Sequence, residues 1–214
     1  AHVAQAFGWF RPGPPRHWKS GGASREMVMT HAALPPDGVW SSPAVASDWP
    51  FRLRGIEAEI SLRLGQHVAQ DRADTLDLAQ ATALVDAMCV SIEIVDSRWQ
   101  EGLDAPALAK LADLQSHGAL VLGDWTPFAP RDWSAQVCRV QVGSCPPIER
   151  RGSHAMGDPA YVLLAWLRHA TRNGDCIAAG TVVTTGTWVG ILDAAAGDLV
   201  SAEFPDIGTA SVQL

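Results

Sequence analysis

The sequence has no run of lysine or arginine anywhere in its 214 residues, and its net charge is −7. Nucleic-acid binding needs a basic patch, so nucleic acid is excluded as a partner. Long apolar stretches are missing too. The uninterrupted apolar runs, such as Tyr161–Leu167, are far too short to span a bilayer, and no membrane partner is expected. Charged residues make up only 18% of the chain and hydrophobic residues 47%, a balance that excludes disorder and supports a globular core. None of the four cysteines, Cys89, Cys138, Cys145 and Cys176, forms a Cys-x-x-Cys pair, which argues against a zinc site of that type. A secretory signal is also absent, so a reducing cytoplasm is the expected setting. No repeat or low-complexity segment occurs.

What is present is organised around Gly55–Gly65. Ile56, Ala58, Ile60, Leu62 and Leu64 alternate with Glu57, Glu59, Ser61 and Arg63. That period of two predicts a strand with one apolar and one polar face. Residues two apart on a strand point the same way, so Glu57 and Glu59 project together. On a helix they would diverge by about 200°. Two neighbouring carboxylates have two readings at this point. The face meets water, or it holds a hard divalent cation such as Mg²⁺ or Mn²⁺. A second stretch, Val90–Trp99, places Glu93 between Ile92 and Ile94, again on a predicted strand. If that strand is a neighbour, a third carboxylate joins the first two.

The rest of the chain is read in order. Ala1–Phe10 looks like the tail of an amphipathic helix, and a missing N-terminal segment is expected. Arg11–Pro15 is a turn or loop. His17–Ser24 is a strand end running into a Gly21-Gly22 loop, with Lys19 beside Trp18. Such a lysine is ordinarily a solvated surface charge. Pro35-Pro36-Asp37-Gly38 is a turn in which Asp37 is ordinarily only the turn's hydrogen-bonding residue. Ser41–Pro50 reads as loop, with Trp40 and Trp49 covering apolar surface.

Asp74–Cys89 predicts a helix capped by Asp74, with Leu78, Ala81, Val85 and Met88 as its buried stripe. Asp104 predicts a second helix with Leu108, Leu111 and Leu114 inward and Gly118 as its stop. Ala119–Leu122 is a short strand, Arg131–Val142 two strand pieces, and Ser144–Gly157 a loop. Asp158-Pro159 opens a helix that ends at Asn173-Gly174. Strands follow at Thr181–Thr185, Asp198–Phe204 and Thr209–Leu214, the last two joined by a Pro205–Gly208 hairpin. The fold class expected is α+β: mixed curved β-sheets with a few packed helices.

Several of these stretches together resemble the hydratase/decarboxylase branch of the fumarylacetoacetate hydrolase superfamily. Trp18-Lys19-Ser20-Gly21 resembles its Lys-x-Gly loop, Pro36-Asp37-Gly38 its Pro-Asp turn, and Gly55–Ile60 its Glu-Ala-Glu strand. Ile92–Arg98 is the most specific match. Gly152-Ser153, Gly157-Asp158-Pro159, Ala165-Trp166-Leu167, Gly180–Gly186, Ala196-Gly197-Asp198 and Gly208 continue it in order. The chain departs from the pattern at Leu114, where Asn is usual, and at Ser61-Leu62-Arg63, where an aromatic run is common. The resemblance implies a β-roll or barrel and a single catalytic domain over 1–214, with the family's N-terminal helical part absent or truncated.

It also implies Glu57, Glu59 and Glu93 as ligands of Mg²⁺ or Mn²⁺, Lys19 and Asp37 as proton carriers, and Ser153 as a substrate contact. The implied reaction is hydration of a 2-hydroxy-2,4-dienoate (2-keto-4-pentenoate) to a 4-hydroxy-2-oxo acid, in the breakdown of aromatic compounds. The alternative is decarboxylation of a 2-oxo-3-hexenedioate, and a third is an inactive structural subunit. A homo-oligomer is expected. For a dicarboxylate, the cations available in the sequence are Arg63, Arg150 and Arg151. Leu111 and Leu114 would supply an apolar wall, and a monocarboxylic substrate is the expected preference.

Overall fold

The computed structural model describes residue 4 and residues 6–214, so the helix expected over Ala1–Phe10 lies in part outside the described residues. In chain order the strands begin with β1 (His17–Gly21), β2 (Thr30–Ala33), β3 (Val39–Ser41), β4 (Ala44–Val45), β5 (Gly55–Leu64) and β6 (Val68–Ala69). They continue with β7 (Val85–Val95), β8 (His117–Leu122), β9 (Thr126–Pro127), β10 (Val137–Val142) and β11 (Ile148–Arg151). The last five are β12 (Cys176–Ile177), β13 (Val182–Thr184), β14 (Leu192–Asp193), β15 (Leu199–Phe204) and β16 (Gly208–Gln213). Short helices cover Gln70–Thr75, Leu78–Thr82, Ala107–Ala112 and Leu163–Thr171.

The main sheet runs β2-β1-β13-β5-β7-β8-β3, with β14 also on β5 and β9 also on β7. It curls into a half-barrel. A second sheet, β11-β10-β15-β16-β4, packs its β15 and β16 against β7. The mixed, curved α+β architecture expected from the sequence is therefore the one observed. Ile56, Ala58, Ile60, Leu62 and Leu64 of β5 are all fully buried. So are Glu59 and Ser61 on its other face, while Glu57 and Arg63 towards its two ends are partly exposed. β13 pairs beside β5, and β1 beside β13, so the face continues across those strands. Its polar groups bond one another there: Ser61 Oγ donates to Ser91 Oγ at 2.8 Å, and Ser91 and Thr184 hydroxyls lie 3.3 Å apart.

Several local expectations are corrected by the sheet. No single helix covers Asp74–Cys89. Two short helices occupy Gln70–Thr75 and Leu78–Thr82, and β7 begins at Val85. Asp77, not Asp74, is the cap. Its carboxylate accepts from Gln80 N at 2.7 Å, and the Gln80 side chain accepts from Asp77 N. Val85 and Met88 belong to the strand because the β5–β7 ladder runs on through Met88, opposite Leu62. Pairing along a long neighbour outweighs a helical spacing of apolar residues.

The helix expected after Asp104 covers only Ala107–Ala112. Leu108 and Leu111 are exposed, Leu114 lies outside it, and Gly118 sits inside β8. Arg131–Val142 holds one strand, β10. β11 lies within the segment read as loop, and β4 within Ser41–Pro50. Pro36–Gly38 is a single 3₁₀ turn.

Several other local expectations hold. Asp158 Oδ1 accepts from Ala160 N at 2.8 Å and opens a 3₁₀ turn that runs into the Leu163–Thr171 helix. β15 and β16 pair antiparallel around Pro205–Ile207. Trp40 and Trp49 pack edge to face at 5.0 Å. Among the described residues no helix is long and apolar enough to cross a membrane.

Candidate functional site

Register decides which side chains meet. Glu57 pairs directly with Glu93 across β5 and β7, and Glu59 pairs with Ser91. Directly opposite residues share a face, so all three carboxylates stand on the inner face of the half-barrel. Each offers one oxygen within 4.8 Å of the others. Lys19 pairs with Thr184, and Thr184 with Ser61, along one row across β1, β13 and β5. The lysine therefore projects from that same face. Its Nζ donates to Glu93 Oε1 at 2.5 Å and to the Gln115 carbonyl at 3.1 Å.

The three carboxylates are held differently. Glu59 Oε2 accepts from the Thr184 hydroxyl and, at 3.0 Å, from Gly186 N. Glu93 Oε1 accepts from Lys19 and also lies 3.0 Å from His117 Nδ1, whereas Oε2 is buried with no partner. Glu57 is the least buried and lines a cleft of about 460 Å³ with Thr30, Val95, Leu103, Lys110, Gln115 and others.

Burial, then the charges of Glu59 and Glu93, push Glu57 up to about 8. Burial and Glu93 push Glu59 up to about 7. Burial would raise Glu93 as well, but the Lys19 ammonium and His117 outweigh it and hold Glu93 below its usual range. For Lys19, burial acts to lower the value, and the three carboxylates together overcome it and raise it.

Three clustered carboxylates facing one ammonium leave uncompensated negative charge. Together with the orphaned Glu93 Oε2, this is a donor set that fits a hard divalent cation. A pH dependence follows. Glu57 and Glu59 bind protons more tightly folded than unfolded, so the stability these two groups contribute is full below the unfolded value near 4.5 and is lost as pH rises through about 7 and about 8. The metal-free protein is expected to melt on the order of 5 °C lower at pH 8.5 than at pH 5.5. Saturating divalent cation is expected to close the gap. Scanning calorimetry with and without chelator checks this. Equal melting temperatures in chelator at both pH values would show that the carboxylates do not repel.

Two of the residues named from the sequence are not gathered here. The Asp37 side chain is three-quarters exposed and pairs with the exposed Arg11 at 3.4 Å. Ser153 Oγ donates to the Trp188 carbonyl at 2.6 Å and ties down a loop. Arg63 is held by Asp86 at 2.9 Å on both arms, and Arg150 and Arg151 are exposed on β11, so none of the three lines the cleft.

The structure adds Thr184, Gly186, Gln115, His117 and Lys110. Residue counting alone gives a signal for the last, because Lys19 and Lys110 are the only lysines in the chain. His117 has no local signature. It lies before the strand that the apolar pattern marks, and it is brought to Glu93 by pairing.

Known proteins resemble the chain in sequence and in fold. The chain is 30% identical over 158 residues to 2-keto-4-pentenoate hydratase 1 of Dechloromonas aromatica (strain RCB), covering 73% of this chain and 58% of that one. It is 26% identical over 162 residues to 2-keto-4-pentenoate hydratase of Paraburkholderia xenovorans (strain LB400), covering 72% and 56%. It thus spans less than two thirds of the length of these relatives. The fold resembles that of 4-oxalocrotonate decarboxylase from Pseudomonas putida G7, complexed with magnesium and adipate. The TM-score is 0.81 at 18% identity, over 99% of this chain and 81% of the other. The model of the fumarylacetoacetate (FAA) hydrolase C-terminal family matches residues 18–214, and the chain belongs to that family.

Proposed function

We propose that the chain is a divalent-metal-dependent hydratase that adds water to a 2-hydroxy-2,4-dienoate and yields a 4-hydroxy-2-oxo acid. The observation that carries this reading is the convergence of Glu57, Glu59, Glu93 and Lys19 beside a cleft with an apolar wall of Val95, Leu103, Leu111 and Ile191. The hydratases similar to this chain support it.

Glu57, Glu59 and Glu93 would hold Mg²⁺ or Mn²⁺. When bound, the cation supplies Lewis acidity to the carboxylate and 2-oxygen of such an acid. Lys19 holds a proton at Nζ, kept there by the surrounding carboxylates, and is the group able to deliver it to a substrate carbon. In this reading Asp37 has no part in the chemistry, and Ser153 retains only the capacity to accept a hydrogen bond. The apolar wall restricts water around the dienoate chain.

One observation favours a second reading, decarboxylation of a 2-oxo-3-enedioate. Lys110 lines the same cleft, and its Nζ donates to the Leu103 carbonyl at 3.1 Å, which leaves donors for a second carboxylate. The test is an ultraviolet assay with added Mg²⁺ that compares a 2-hydroxydienoate with its dicarboxylate analogue. Under the hydratase reading the dienoate is turned over faster, and Lys110→Met changes its kcat/KM by no more than about twofold. Faster carbon dioxide release from the dicarboxylate, reduced about tenfold or more in Lys110→Met, would replace hydration with decarboxylation. Metal binding with turnover of neither would leave a structural subunit.

A further inference from the structure

We propose that His117 is a positioning residue: it pins Glu93 Oε1 so that Oε2 is the one oxygen of that carboxylate presented to a divalent cation. The inference rests on the metal reading above. His117 is 1% exposed, and its Nδ1 lies 3.0 Å from Glu93 Oε1. Glu93 accepts, so the proton of that bond sits on Nδ1. Oε1 takes both available donors, Lys19 and His117, and Oε2 is buried with none.

The two donors differ in kind. An ammonium on a four-carbon stem supplies charge but little direction. A buried imidazole fixed on a strand supplies direction.

The backbone is bent to put the ring there. Glu93 pairs with Leu120 and Ile94 with Ala119, but Val95 then pairs with His117, so Gly118 is an extra residue in β8. Without this bulge His117 would point to the opposite face from Glu93. With it, His117 stands opposite Val95, which shares the face of Glu93 two residues earlier. A bulge re-aims a side chain in this way. Only glycine fits at the extra position, since a Cβ on Gly118 would come within 2.7 Å of the Ile94 carbonyl oxygen and 2.8 Å of Asp96 Cβ.

The test is calorimetric titration of the chain with Mg²⁺ and with Mn²⁺. His117→Leu is expected to bind about 10–100-fold more weakly than wild type, the usual cost of losing such a hydrogen bond to a ligand. His117→Asn, whose amide can still donate to Oε1, is expected to recover affinity to within about threefold of wild type. A merely structural histidine would not be rescued in this way. A fold-independent check is nitrogen NMR of the wild-type imidazoles, in which the His117 proton is expected on Nδ1.

Wild-type affinity in His117→Leu, no rescue by a folded His117→Asn, or a proton on Nε2 would each overturn the role of His117. A wild-type chain that binds neither cation would overturn the metal reading itself, and this inference with it.

Discussion

Glu93→Gln is expected to abolish measurable Mg²⁺ binding and to lower kcat/KM by about 10³-fold or more, the loss of several kcal/mol of Lewis-acid stabilisation. Glu93 stands opposite Glu57 and is the member of the triad with a buried, unpartnered oxygen. The amide has nearly the same shape, so packing is kept while the charge is lost. It also brings an NH₂ group into a site where Lys19 and His117 already donate to Oε1. If the NH₂ takes that position, donors face donors. If it takes the Oε2 position, the ligand is gone. Titration calorimetry and a turnover assay read the two consequences separately. A glutamine variant with unchanged metal affinity and activity would remove Glu93 from the site.

Lys19→Met has the opposite signature for the metal. Its kcat is expected to fall by about 10²–10⁴-fold, the range for loss of a positioned proton carrier. Cation affinity should be kept or rise, because Lys19 is itself a cation in the field of the same three carboxylates. The metal-free variant should lose stability, on the order of 3 kcal/mol, since Glu93 is left buried without its counter-charge at 2.5 Å. Added Mg²⁺ should restore much of that loss. Activity within a few-fold of wild type would mean that Lys19 balances charge without carrying protons. A matching fall in metal affinity would mean instead that the variant disturbs the shape of the site.

Local backbone geometry made part of this protein legible in advance. Alternation in Gly55–Leu64 is a property of neighbouring residues, so the strand and the shared direction of Glu57 and Glu59 follow without any partner. The Asp158-Pro159 start of the Leu163–Thr171 helix and the turn between β15 and β16 are equally local. Their signals sit within a few residues of the structure they cause. The motifs along the chain pointed to the family, and residues 18–214 match it.

Contacts between distant segments decided the rest. A period of two says that one face of β5 is polar, but not what comes across it. The fold buries Glu59 and Glu93, lays Lys19 against Glu93, and gathers Glu57, Glu59 and Glu93 into a mutually repelling triad. The same long-range pairing overrode the helical spacing of Val85 and Met88. The Gly118 bulge brought in His117, and Lys110 came to line the cleft. Asp37 and the three candidate arginines stayed outside. Direction along a strand is set by adjacent dihedral angles and can be read from a single segment. Burial, charge and partner identity depend on which strands close over it, and only the tertiary fold specifies those.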